Sequence, residues 1–142
     1  MTKWELLASL KSEVSNEEYQ LMKLRRMPHL SISNRKVILD MMEHETASDD
    51  WIDDIKVEQL RSVTYEYLRK YLSEHREGWK WVFLCCAYTA FILEVPMHPQ
   101  EWVHYTTKLV DGKTEYYCPA KSNQMNTNCT FCVCKYVEEA EE

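Results

Sequence analysis

Between Gly78 and Pro96 the chain reads WKWVFLCCAYTAFILEV, and from Trp81 to Leu93 it is apolar almost all the way round a helix. A helix with no polar side cannot lie on the surface of a water-soluble fold. The run is also shorter than the ~20 apolar residues needed to cross a bilayer. It is therefore expected to be a central helix covered by others, ended by Pro96 and Pro99.

The covering helices are legible upstream. Thr2 with Glu5 reads as a capping box, followed by Trp4, Leu7, Leu10 and Val14 at helical spacing. Ser15 with Glu18 opens a second box, and Pro28 closes that helix at about Met27. A third helix starts near Ser33 and carries Val37, Ile38, Met41 and Met42. A fourth, about Lys56 to His75, places Leu60, Val63, Tyr67, Leu68, Tyr71 and Leu72 on one face, and Gly78 ends it.

Past the prolines the pattern changes. HYTTKLV and KTEYY flank Asp111-Gly112, a dipeptide that suits the two positive φ angles of a type I′ turn, so a β-hairpin is expected there. The reading is a mainly α fold: about five helices around a buried helix, with a C-terminal β-hairpin and cysteine knuckle. One domain spans 1–142, divided into a helical bundle over 1–95, the hairpin and Cys-rich knuckle over 100–135, and a frayed acidic tail over 136–142.

Composition removes several function classes. The formal net charge is −6, which is not the footprint of a general nucleic-acid or anionic-membrane binder. Only two glycines occur, Gly78 and Gly112, so a Walker loop, a GxGxxG turn and a GxSxG elbow are all excluded. The opening MTKWELLASLK alternates charged and apolar residues with no apolar signal core, and a cytoplasmic, reducing location is expected.

In such a compartment clustered cysteines ligate metals or do redox work more often than they form bridges. Four of the six cysteines fall within YYCPAKSNQMNTNCTFCVCK, residues 116–135. Cys129 and Cys132 form a CxxC that can turn back onto one ion. Cys118, at the end of the second hairpin strand, is placed to add a third sulfur from the other side. Tetrahedral zinc and iron–sulfur clusters both use such sets. For the fourth ligand the sequence leaves His98, Cys134, Cys85 and Cys86 open. Against this, Cys85 and Cys86 on the central helix also read as small buried hydrophobes, and His98 as a loop histidine bonded to backbone.

These residues also carry a resemblance. EVPMHP at 94–99, DGKTEYYCPAK at 111–121 and CTFC at 129–132 resemble an uncharacterised protein family of methanogenic archaea, domain of unknown function 2115. The specific likeness covers about 94–132. It implies His98, Cys118, Cys129 and Cys132 as one constellation in an archaeal cytoplasmic protein, and it implies no activity. Cys134 has no counterpart in that pattern.

Other groups have plainer readings. Asp49, Asp50, Asp53 and Asp54 in DDWIDD could chelate a divalent ion but more simply complement a helix start. His44-Glu45 lacks the second histidine of HExxH, because position 48 is serine. Lys23, Arg25, Arg26, Arg35 and Lys36 form a basic patch best explained as solvated helix ends. Trp79, Trp81, Phe83, Tyr88 and Phe91 are read as core rather than a stacking set. Nothing marks Cys118 with His98 as a nucleophilic pair. The leading function is a non-catalytic protein, stabilised by zinc on Cys118, Cys129, Cys132 and His98, with a protein partner. The second reading, from another class, is a redox or sensor protein with an iron–sulfur cluster on the same cysteines. Nucleic-acid binding through the basic patch ranks last.

Overall fold

The structure is a computed structural model and describes residues 1–74, 76–97, 106–118, 132 and 135–136. Its helices are α1 (Lys3–Ser12), α2 (Asn16–Lys23), α3 (Ile32–Glu43), α4 (Asp54–Tyr71) and α5 (Trp79–Ala87). A 3-10 turn, Arg76–Gly78, leads into α5, and a π-helical turn, Tyr88–Leu93, continues it. The strands are β1 (Thr106–Val110), β2 (Lys113–Cys118) and β3 (Lys135–Tyr136). His98, Cys129, Cys134, the segments around them and the acidic tail 137–142 lie outside the described residues.

Both capping boxes form as their spacing requires: Thr2 accepts from the Glu5 amide and Ser15 from the Glu18 amide, each glutamate reaching back to the cap amide. Ser31 caps α3 by accepting from the Asn34 amide at 3.1 Å. Asp53 caps α4 by accepting from Ile55 at 2.9 Å, so that helix starts two residues before the expected Lys56.

α2 ends at Lys23 rather than near Met27. Arg25 takes a left-handed φ of 58°, its amide donates to the Met22 carbonyl and the Arg26 amide donates to Leu21. That pair of bonds is a Schellman motif, which stops the helix before Pro28 has any part in it. α4 likewise stops at Tyr71, short of His75, because the Trp79 indole donates to the Leu72 carbonyl at 3.1 Å and satisfies the helix end there.

The expected inner face of α4 is also corrected. Val57, Leu60, Thr64 and Leu68 are buried, whereas Tyr67 and Tyr71 are 57% and 66% exposed and stack on each other at 4.8 Å. The stripe that meets α5 runs through Thr64, a residue that hydropathy alone places outside. A tyrosine pair, part apolar and part polar, tolerates the wet side.

The run 81–93 is the core, as its composition demands. Trp81, Phe83, Leu84, Cys85, Ala87, Tyr88 and Ile92 are buried against Leu6, Leu7 and Leu10 of α1, Met22 of α2, Ile38 and Met41 of α3, and Leu60 of α4. Arg61 of α4 ties the bundle at its side: it donates to Glu13 at 2.9 Å and lies 4.0 Å over the Phe83 ring. Residues 48–52 lap the start of α1, with Lys3 donating to Asp50 and Ile52 to Met1, each at 2.8 Å.

The hairpin turns at Asp111 (φ 52°) and Gly112 (φ 80°), the two positive angles that the dipeptide suits. Thr106 pairs with Tyr117 and Val110 with Lys113 in an antiparallel register. β3, which sequence patterning did not reveal, adds in parallel to β2, setting Lys135 opposite Tyr117 and Tyr136 opposite Cys118.

Candidate functional site

The C-terminal site begins where α5 leaves the core. The Thr89 hydroxyl donates to the Cys85 carbonyl at 2.9 Å and lies 3.2 Å from that of Cys86, and the helix widens into its π turn at this point. A side chain competing for the carbonyls of the previous turn is a recognised cause of such irregularity. The turn closes at Glu94, left-handed at φ 55°, and the Val95 amide donates to the Thr89 carbonyl at 3.0 Å. Pro96 then directs the chain out of the helix, and the next amide, Met97, donates to the sulfur of Cys132 at 3.4 Å.

That contact places one member of the expected constellation. Cys132 is half-buried and lies against the residue that precedes His98. Four residues further on, Tyr136 pairs with Cys118, so the chain that carries Cys132 returns to the end of β2. Cys118 is located by its backbone at that strand end. Cys129 and His98, with the alternative ligand Cys134, lie outside the described residues. Among the described residues, no group of three or more His, Cys, Asp or Glu side chains is arranged to hold a metal ion.

Cys85 and Cys86 are thiols outside any disulfide. Cys85 is buried, its thiol donates to the Asn34 carbonyl at 3.6 Å, and burial, aided by Cys86, pushes its pKa far above the usual thiol range. A thiol kept protonated in this way packs as a small hydrophobe and is a poor ligand.

The acidic stretch 49–54 is occupied by structural tasks. Asp49 accepts from the Trp4 indole at 3.2 Å, Asp53 caps α4, and Asp54 pairs with the Met1 amine at 2.9 Å. In the basic patch, Arg35 donates to the Met22 carbonyl at 2.7 Å, holding the end of α2, and Lys23 lies 4.2 Å over the Tyr19 ring.

One polar constellation escaped sequence reasoning. Tyr88 is buried on the central helix, and its hydroxyl donates to Asp40 at 2.5 Å and lies 3.1 Å from Nδ1 of His44. With the phenolic proton directed at Asp40, the imidazole contact requires an Nδ1–H donating to the tyrosine oxygen. The His44 backbone carbonyl in turn accepts from Lys11. Burial, with the Asp40 carboxylate adding to it, raises the Tyr88 pKa well above the usual phenol range, so the group serves as a neutral bridge between α3 and α5. The available signal was Asp40 and His44 one helical turn apart, opposite a tyrosine in an otherwise apolar run.

No helix among the described residues is long and apolar enough to cross a membrane. A family profile described as an uncharacterized protein conserved in archaea, domain of unknown function 2115, matches residues 2–136. The UPF0305 protein MJ0646 of Methanocaldococcus jannaschii is 34% identical over 95 residues, a stretch that is 64% of this chain and 57% of that protein. The matched stretch thus spans little more than half the length of that curated relative. No solved structure matches the chain.

Proposed function

The chain belongs to this archaeal family of unknown function, and from that premise we propose a cytoplasmic, non-catalytic protein whose C-terminal segments are clamped by a structural zinc ion and whose exposed face serves a protein partner. Cys118, Cys129, Cys132 and His98 would hold the ion. Three thiolates and an imidazole make a closed tetrahedral set, the form that structural zinc takes, and the bound ion would supply folding free energy where regular structure is sparse.

The observation that carries this reading is the Met97 amide donating to Cys132. Amide donors aimed at sulfur are outer contacts of the kind that orient metal-bound thiolates. This one also brings the sulfur to the residue beside His98, while the β2–β3 pairing returns the same segment toward Cys118. The partner is supported by large aromatic side chains left in solvent, Trp51 at 75% exposure and the Tyr67–Tyr71 pair, since such rings are enriched at interfaces.

Anaerobic purification followed by elemental analysis and an absorption spectrum tests the site. Stoichiometric zinc with no visible absorption supports it. Iron with acid-labile sulfide and a visible band would establish the iron–sulfur reading on the same cysteines instead. Protein that is metal-free after purification, and that takes up no zinc on titration, overturns both.

A further inference from the structure

A cavity of about 290 Å³ opens between the start of α3, the end of α4 and the start of α5. Its apolar wall is Leu68, Leu72, Trp79 and Val82, and its polar rim is His29, Ser31 and Asn34. We propose that this cavity is a binding site for a small molecule with a flat apolar body and one anionic group, a carboxylate or phosphate. None of its lining residues is among the proposed zinc ligands, and it does not depend on a metal there.

Three observations point the same way. First, the cavity is built rather than incidental. Trp79 is pinned by its indole bond to the Leu72 carbonyl and by the Tyr65 ring at 6.0 Å, so the flat wall is held in place. The opposite rim is held by a close backbone approach: a Cβ on Gly78 would stand 3.0 Å from the His29 carbonyl oxygen. One of the two glycines in the chain therefore lies where the turn before α5 meets the α2–α3 loop.

Second, that loop carries backbone strain. His29, on the rim, is left-handed at φ 59° and is not glycine, whereas the left-handed Arg25 belongs to the Schellman end of α2. Unfavourable backbone of this kind gathers at ligand clamps and switch regions and persists only where its surroundings enforce it.

Third, arginines stand beside the mouth, although Glu77 shares the turn of Arg76. The guanidinium of Arg76 lies 5.3 Å from the centre of the Trp79 ring, at the cavity wall. The loop leading to His29 contains Arg25 and Arg26 and no acidic residue. None of these three arginines makes an ion pair with a described residue. Among the glutamates of this region, Glu18 pairs with Lys80 and Glu66 with Arg69, while Glu74 and Glu77 flank Arg76 in the chain. The rim adds donors. Ser31 accepts from the Asn34 amide and keeps its hydroxyl proton to give. Apolar walls with a few convergent polar groups, at close to this volume, are the usual form of a small-ligand site.

The test uses naphthoate as probe, with the neutral naphthylmethanol and the cationic naphthylmethylammonium as controls. Amide and indole NMR resonances of the intact protein are followed during titration. Naphthoate should shift the Trp79 indole, Gly78 amide and Asn34 side-chain signals saturably, with a Kd below about 1 mM, and each control should bind at least about tenfold more weakly. Arg76→Gln, at an exposed position, should weaken naphthoate several-fold without altering the helical signal. Leu72→Glu and Leu72→Lys remove the same apolar contact at a half-exposed position and differ only in charge. The glutamate variant should bind naphthoate about tenfold more weakly than the lysine variant. Equal binding of the three probes would mean an apolar notch suited to a partner's side chain, and would overturn the proposal. Absence of saturable shifts at the cavity, or identical affinities for the two Leu72 variants, would overturn it as well.

Discussion

The backbone amide of Met97 donates to the sulfur of Cys132 at 3.4 Å, joining the exit of the central helix to a segment 35 residues further along the chain. This contact brings Cys132 to the helical bundle at the point where Pro96 has already turned the chain away from it. Its loss should be felt at the sheet before it is felt in the core.

On the proposed zinc reading, replacing Cys132 by serine should release the ion and loosen β2 and β3 while leaving the far-ultraviolet helical signal nearly unchanged. Metal release by a colorimetric chelator, circular dichroism and amide exchange over Lys113–Cys118 check the three parts. Collapse of the helical signal would show that the knuckle is integral to the bundle.

Tyr88→Phe removes a hydrogen bond to a charged acceptor and should cost about 1.5–3 kcal/mol in a denaturant melt. The change should also alter the alkaline limb of stability. Because the folded-state pKa of Tyr88 is raised, its contribution is present below the unfolded value of about 10 and is lost as pH climbs above it. The difference in stability between the parent and Tyr88→Phe should shrink over that range. A constant difference up to strongly alkaline pH would refute the assignment.

Glu94→Gly should stabilise the protein by up to about 1 kcal/mol, since a left-handed residue with a Cβ costs roughly 1–2 kcal/mol and the ion pair given up, with Lys3 at 3.9 Å, is long and wet. A rise in the thermal midpoint is the expected result. A clear fall would indicate that the Glu94 carboxylate does more than its distance suggests.

Glu18→Gln tests the acid limb. Burial tends to raise the Glu18 pKa, but the Ser15 amide and the Lys80 ammonium outweigh it, so the folded value is depressed. Its contribution is present above the unfolded value of about 4.3 and lost as pH falls through the lower folded one. The amide variant should be less stable than the parent at neutral pH, and the gap should close on acidification. Urea midpoints taken across the acid range would show a parallel pair of curves if the idea is wrong.

What could be read along the chain is what neighbouring residues decide among themselves. The capping boxes at Thr2–Glu5 and Ser15–Glu18, the Asp111-Gly112 turn and the burial of 81–93 each follow from groups within a few residues, or from an apolar surface that leaves no choice. The family was legible for a related reason: its motifs are short and contiguous. Other features needed the fold, because their partners are far apart in the chain. α4 buries Thr64 and leaves Tyr67 outside because α5, and not hydropathy, selects the stripe. Tyr88 stays in the core because α3 and the residue that caps its end present Asp40 and His44 to it, 48 and 44 residues away. β3 joins β2, and Cys132 reaches Met97, through contacts between residues far apart in the chain, which no local propensity encodes. Local chemistry thus decided which segments become helix, turn or strand, and long-range packing decided which of their faces and sulfurs meet.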